Sequence, residues 1–165
     1  MTRWLLKILK WCGIIITIII ATLICIILFA KYNIHSTSPK KPSVYIEQDS
    51  LIKHSNRHFS YGKNWAKKND FGIWEVSIEG NAFERGLAYG KLIKEPIQNQ
   101  EEVFVNSINK VIPSKFYQSI LKNLIYIFHF NINDYVSKEV KNEILGVSLS
   151  FSSKYDYIGE KYLRV

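Results

Sequence analysis

The two cysteines of the chain, Cys12 and Cys25, are the residues best suited by type to nucleophilic, redox or metal chemistry. Both lie in an uncharged apolar run, and because they are 13 residues apart on one helix they cannot bridge each other. The chain after residue 30 contains no cysteine. That part is therefore predicted to have no disulfide, no thiolate metal site and no cysteine nucleophile.

The histidine and serine patterns give no stronger candidates for a reactive site. His54 and His58 are four residues apart and could present two metal ligands on one helix face, but the lack of a third ligand nearby favours solvated surface. His129 lies in an apolar segment and is interpreted as a core or interface histidine. The segment Gly146–Ser150 resembles a nucleophile elbow, yet Ser150 stands where the second glycine is required. The sequence thus predicts no catalytic residue, no metal-binding residue and no cofactor.

Three glycines, Gly80, Gly86 and Gly90, are concentrated around the start of a predicted helix in the segment EGNAFERGLAYGKL. Glycine costs a helix interior about 1 kcal/mol relative to alanine, so a packing contact or a chemical need must offset that cost. Their spacing fits no phosphate-binding motif. We interpret Gly80 as a strand-to-helix turn, and Gly86 and Gly90 as a smooth face that lets another backbone approach closely.

The run Trp11–Ala30 has 20 uncharged residues, which as a helix extend about 30 Å, the thickness of a bilayer's hydrocarbon core. It is longer than the apolar region of a cleaved signal peptide and ends without a small-residue cleavage site. The run therefore predicts an uncleaved transmembrane helix with the lipid bilayer as its partner. Arg3, Lys7 and Lys10 precede it without an acidic residue, which predicts a cytoplasmic N-terminus (residues 1–10) and an extracytoplasmic location for everything after residue 30.

Those three cations account for part of the net charge of +8. Residues 31–165 hold 19 basic and 14 acidic side chains, a net charge of +5. No dense Lys/Arg stripe occurs, so nucleic acid is not an expected partner. A solvated surface is the preferred interpretation of this charge, and a mildly basic face toward anionic lipid is the alternative.

The chain beyond the span divides into two predicted parts. Residues 31–70 are rich in polar residues without helical periodicity, and we interpret them as a tether and an irregular segment. Residues 71–165 are expected to fold as a domain of one strand followed by four or so helices.

The predicted strand, FGIWEVSIEG, has Trp74, Val76 and Ile78 on one apolar face. A lone strand leaves its backbone edges unpaired. Its partners must therefore come from residues 50–70 or from a continuation of the chain.

Capping residues and apolar spacing locate the helices. Asn81 is the predicted N-cap of the first helix, with Glu84 completing a capping box, and Pro96 ends or restarts that helix. Ser114 can cap a later helix in KFYQSILKNLIYIFHFNINDYV, whose uncharged part is too short to span a bilayer. A core helix is the preferred interpretation of this segment, and a helix lying on the membrane is the alternative.

Two groups of residues, in this order, resemble a known family. Gly80, Phe83, Glu84, Gly86 and Gly90 match the pattern G-x-x-[FY]-E-x-G-x-x-x-G. About fifty residues later EILGVS, which contains Glu143 and Gly146, matches E-[IL]-x-G-[IV]-[AS]. On these motifs, residues 74–165 resemble the start of the acyl-coenzyme A:6-aminopenicillanic acid acyltransferase family, the self-processing acyltransferases and amidohydrolases of the N-terminal-nucleophile superfamily.

This resemblance implies a four-layer αββα fold and a chain that cuts itself before a cysteine. The freed cysteine would then attack an amide or thioester, with its own α-amine as the base. In the family that cysteine follows soon after the segment matching residues 143–165, and neither Cys12 nor Cys25 can replace it.

We therefore expect an N-terminal transmembrane helix plus an incomplete α+β domain, the helix-rich front part of an N-terminal-nucleophile fold truncated before the nucleophile. Such a chain would be inactive alone and would have the missing C-terminal catalytic part as a partner. The alternative is a complete single-pass membrane protein whose small helical domain binds a partner or lipid. A degenerate copy that acts as a regulator ranks last.

Overall fold

The computed structural model describes residues 2–42 and 49–165. It begins with one long helix, α1 (Thr2–Thr37), which continues the predicted span by about two turns at each end. The helix is long and apolar enough to cross a membrane, and no described part of the chain covers its most apolar stretch. The predicted tether is therefore helical as far as Thr37, while its residues 43–48 lie outside the described residues.

In the described part of the chain, four short strands form an antiparallel meander paired in chain order. They are β1 (Leu51–Ser55), β2 (His58–Tyr61), β3 (Asn64–Lys68) and β4 (Trp74–Ser77). Gly62, with a φ of 57°, provides the two-residue turn between β2 and β3, which Tyr61 and Asn64 close as a pair.

Strands β1 to β3 lie in the segment expected to be irregular, and that expectation is wrong for residues 51–68. Each of these strands is only four or five residues long, and β1 is exposed along its whole length. Their alternation of apolar and polar residues is therefore too weak to predict strands from the sequence. Of the two sources left open for the partner of the predicted strand, residues 50–70 supply it, because β3 pairs with β4.

Five helices follow the sheet. They are α2 (Ala82–Leu92), α3 (Lys94–Val111), α4 (Lys115–Phe128), α5 (Ile132–Tyr135) and α6 (Lys138–Ser148). Pro96 lies in the first turn of α3, where its missing N–H removes no helical hydrogen bond. Two short 3-10 turns, Ser153–Tyr155 and Lys161–Arg164, complete a mixed α+β architecture.

The hydrophobic core lies between the sheet and α2. Its buried members are Tyr61, Ala66, Leu87, Ala88, Leu92, Ile93 and Ile97. Trp74, Val76 and Ile78 pack against this cluster, so the apolar face predicted for the β4 segment is confirmed.

The core interpretation of α4 is wrong. This helix is described in full, and none of its residues is buried. Its apolar side chains face away from the domain, because amphipathic spacing defines an apolar face but does not decide which way that face points.

Candidate functional site

The turn before α2 takes the form that the sequence predicts. Gly80 has a φ of 118°, a conformation that side chains with a Cβ rarely adopt. The Asn81 side chain accepts the backbone N–H of Glu84 at 3.1 Å, and the Glu84 carboxylate accepts that of Asn81 at 3.0 Å. This reciprocal capping box fixes the residue at which α2 begins.

Gly86 of α2 and Gly146 of α6 lie where the backbones of the two helices touch. A Cβ on Gly86 would lie 2.8 Å from the carbonyl carbon of Glu143 and would overlap its oxygen. A Cβ on Gly146 would lie 2.8 Å from the carbonyl carbon of Gly86 and 2.5 Å from the amide nitrogen of Leu87. Backbone atoms cannot yield as a side chain can, so both positions require glycine.

Gly90 serves the same contact one turn later. A Cβ there would lie 3.1 Å from both the Ser150 Cβ and the Val147 carbonyl oxygen. The interpretation of Gly86 and Gly90 as a face for close backbone approach is confirmed. The residues that carry the family resemblance thus all lie at this contact or in the adjoining cap, with Phe83 buried beside it and its carbonyl oxygen facing Gly146.

Arg85 adds charge to the same helix pair. Its guanidinium donates to Glu139 at 2.9 Å and to Glu143 at 3.1 Å, both on α6. The two hydrogen bonds, with Glu139 the larger cause, raise the pKa of Arg85 above its usual value. The pairs are partly exposed, so they orient α2 against α6 more than they stabilise the fold.

An open cavity of about 490 Å³ lies beside this contact. It is lined by Pro42, Asn81, Ala82, Phe83, Arg85, Lys138, Glu139 and Asn142. None of these described residues is a serine, cysteine or histidine, so the lining offers charge and hydrogen bonds but no hydroxyl, thiol or imidazole nucleophile. This arrangement can position a ligand or another segment of polypeptide.

The end of α1 is attached to the domain at a second region. Asn133 of α5 is buried and donates to Thr37 at 3.0 Å and to the Ile34 carbonyl at 3.4 Å, while Asn33 donates to the Phe130 carbonyl at 2.7 Å. Ala30 and Ile34 are buried. The helix that leaves the apolar run is therefore docked to the domain.

An open cavity of about 270 Å³ lies at this junction, lined by Lys31, Tyr32, Ile34, His35, Tyr126, Glu160 and Leu163. His35 Nδ1 lies 3.7 Å from the Glu160 carboxylate, and both side chains are well exposed. Burial, with a smaller effect of Glu160, raises the pKa of Tyr126.

Helix α4 is held by its polar side chains. Gln118 donates to the Ile112 carbonyl at 2.6 Å and to Asn109 at 2.9 Å, and the Lys122 ammonium donates to the Tyr157 carbonyl at 2.9 Å. Burial, together with the nearby Lys31, lowers the pKa of Lys122. The polar face of α4 thus points into the domain and its apolar face points out.

The remaining titratable groups do not assemble into a reaction centre among the described residues. His54 and His58 lie on neighbouring strands, not on a helix, with ring centroids 4.6 Å apart, and His54 also bonds to Ser60 at 2.8 Å. No described group of three His, Cys, Asp or Glu residues could hold a metal ion. His129 is exposed, so its assignment to the core is wrong, and Cys12 and Cys25 lie on the exposed surface of α1.

One buried ion pair was not anticipated from the sequence. Arg164 pairs with Glu101 of α3, and the side chains are only 7% and 3% exposed. Glu101 also accepts the backbone N–H of Ser152 at 3.0 Å. The only sequence signal was an acidic residue on the inward face of α3, since its partner is 63 residues away.

Comparison with protein-family models, with curated proteins and with solved structures finds no match to this chain.

Proposed function

We propose that this chain is the membrane-anchored front portion of a self-processing amidohydrolase or acyltransferase that acts on an acyl amide or thioester. The observation that carries the proposal is the backbone contact between Gly86 and Gly146. It supports the resemblance because two motifs far apart in sequence, each weak alone, meet in one interface. If either motif matched the family by chance, the two segments would not be expected to contact each other.

The fold is compatible with one half of a four-layer αββα arrangement. The antiparallel sheet has α2 packed on one side through the core, and α6 packed on α2. The opposite face and the edges of the sheet would then be covered by polypeptide that completes the domain.

The nucleophile in this proposal comes from outside the 165 residues. Cys12 and Cys25 lie in the apolar run of α1, and there is no other cysteine. A cysteine freed by self-cleavage would supply both the thiolate and the α-amine that takes up its proton. The role of α2 and α6 would be to pack against the central sheets and shape one wall of the acyl pocket.

The anchoring half of the proposal rests on α1. Its uncovered apolar stretch needs an apolar medium, and a bilayer supplies one of matching thickness. Arg3, Lys7 and Lys10 favour a cytoplasmic N-terminus and an extracytoplasmic domain.

Reading the gene beyond the codon for Val165 tests the enzymatic half. We expect an open frame that soon reaches a cysteine, and a Cys→Ser variant of that residue should stop both self-cleavage and hydrolysis of an acyl p-nitroanilide. A stop codon directly after Val165, with no cysteine-bearing frame downstream, would overturn the enzymatic proposal.

A second candidate is a single-pass membrane protein whose small helical domain binds a partner or lipid. The outward apolar side of α4 favours it, because a soluble enzyme domain normally buries such a surface. The two candidates share the anchor and differ in whether a catalytic cysteine exists.

A further inference from the structure

Helix α4 has the reverse of the usual amphipathic orientation. At about 100° per residue, its apolar side chains occupy one half of the helix circumference. We define the outward face of α4 as the seven of them that are 37% to 75% exposed: Phe116, Tyr117, Ile120, Leu121, Leu124, Ile125 and Phe128. Surface helices of soluble domains turn such a stripe inward, so this face calls for an apolar environment outside the domain.

The orientation is fixed by specific contacts. Gln118, Lys122 and Tyr126 recur every four residues on the opposite half of the helix, and all three are partly buried. Gln118 and Lys122 make the hydrogen bonds to Ile112 and Tyr157 described above. Rotating α4 to bury its apolar face would break these bonds and leave the Ile112 and Tyr157 carbonyls without these donors.

The C-terminal end of α4 and the residues just after it contact the end of the apolar run of α1. The Phe29 and Phe130 rings are 6.5 Å apart, and the Lys31 ammonium lies 5.3 Å from the centroid of the Tyr126 ring. Ala30, where the uncharged run ends, is buried at this junction. If α1 spans a bilayer, Ala30 marks the membrane surface and the C-terminal end of α4 lies at the same level.

Charge and aromatic content fit a lipid headgroup region. Residues 103–133 contain no Asp or Glu, and Lys110 and Lys115 are exposed beside the N-terminal end of α4. Phe116, Tyr117 and Phe128 place aromatic rings on the outward face, and aromatic side chains are enriched at membrane–water boundaries. Apolar surface with basic flanks binds anionic interfaces.

We infer that α4 lies in the plane of the outer membrane interface, with its outward face in the boundary between headgroups and acyl chains. The inference rests on the proposed anchoring by α1 and does not depend on the proposed enzymatic activity. It assigns the lipid surface, in place of a second copy or another protein, as the partner of this face. An extracytoplasmic domain held in this way would meet amphiphilic molecules at the membrane surface.

The test uses the full chain in vesicles of phosphatidylcholine and phosphatidylglycerol. A single environment-sensitive label is attached to Ile125→Cys on the outward face, in a Cys12→Ser/Cys25→Ser background. The matched control is Ser119→Cys, an exposed position on the other half of the same helix. A third label on the native Cys25, with Cys12→Ser, reports the anchor separately. Circular dichroism checks that each labelled chain folds.

We expect doxyl lipids to quench the label at position 125, and aqueous iodide to quench it several-fold less than the label at position 119. Equal iodide quenching at both positions, with Cys25 still quenched by lipid, would overturn the inference and leave the anchor standing. Protection at position 125 from both quenchers that grows with protein concentration would also overturn it, because a second copy would then cover the face. Iodide quenching at Cys25 would overturn the anchoring and the inference together.

Discussion

Replacing Gly146 with alanine places a methyl group between two backbones. The new Cβ would lie 2.8 Å from the Gly86 carbonyl carbon and 2.5 Å from the Leu87 amide nitrogen, so α2 and α6 must separate to admit it. Overpacking of this kind costs up to about 3 kcal/mol, and the better helix propensity of alanine returns about 1 kcal/mol. We expect Gly146→Ala to lower the free energy of unfolding by about 2 kcal/mol.

Thermal unfolding of the full chain in detergent micelles, followed by circular dichroism, measures this change. For a chain of this size, a loss of about 2 kcal/mol lowers the Tm by about 4–8 °C. Gly159→Ala is the matched control, because a Cβ there meets only Arg164 Cγ at 3.9 Å, and its effect should stay within about 0.5 kcal/mol. An unchanged or higher Tm for Gly146→Ala would refute the backbone contact, since helix propensity alone predicts that outcome.

Three further changes probe other parts of the fold by the same unfolding measurement. Asn81→Ala removes the N-cap of α2 and should cost about 1 kcal/mol; no loss would contradict the capping box. Glu101→Gln leaves the Arg164 charge buried without its main partner and should lower the free energy of unfolding by about 3 kcal/mol. The apolar double variant Glu101→Leu/Arg164→Met should recover most of that loss. A small effect of Glu101→Gln alone would refute the burial of the pair. Burial raises the pKa of Tyr162 above 10.0, so the folded state keeps the phenol proton when the unfolded state has lost it. The free energy of unfolding should therefore fall as the pH rises above 10.0, and that of the Tyr162→Phe variant should fall less steeply. An identical pH dependence of the two chains would contradict the assignment.

Local signals in the sequence are sufficient to predict the turn and the cap at which α2 begins. Gly80, Asn81 and Glu84 act within five residues of one another, so their types and spacing define the turn and the cap. The same holds for the apolar face of the β4 segment, whose period of two is set by strand geometry alone.

For long-range contacts, the sequence could show that a partner was required but not which residue it was. The helical position of Gly86 indicated that another backbone must approach, but nothing local identifies Glu143 as the residue that does so. The pairing of Glu101 with Arg164 is hidden for the same reason. In α4 the spacing gave the correct apolar face, whereas its direction depends on the hydrogen bonds that Gln118 and Lys122 make to distant carbonyls.

We propose that this chain anchors and completes an enzyme whose nucleophile is an N-terminal cysteine. The most direct measurement is the intact mass and N-terminal sequence of every polypeptide that co-purifies with this chain from its native membrane, using an antibody to residues 49–165. We predict a second polypeptide that begins with cysteine and stays bound after detergent extraction. Recovery of this chain alone, with no polypeptide that begins with cysteine, would contradict the claim and favour the membrane-tethered binding domain.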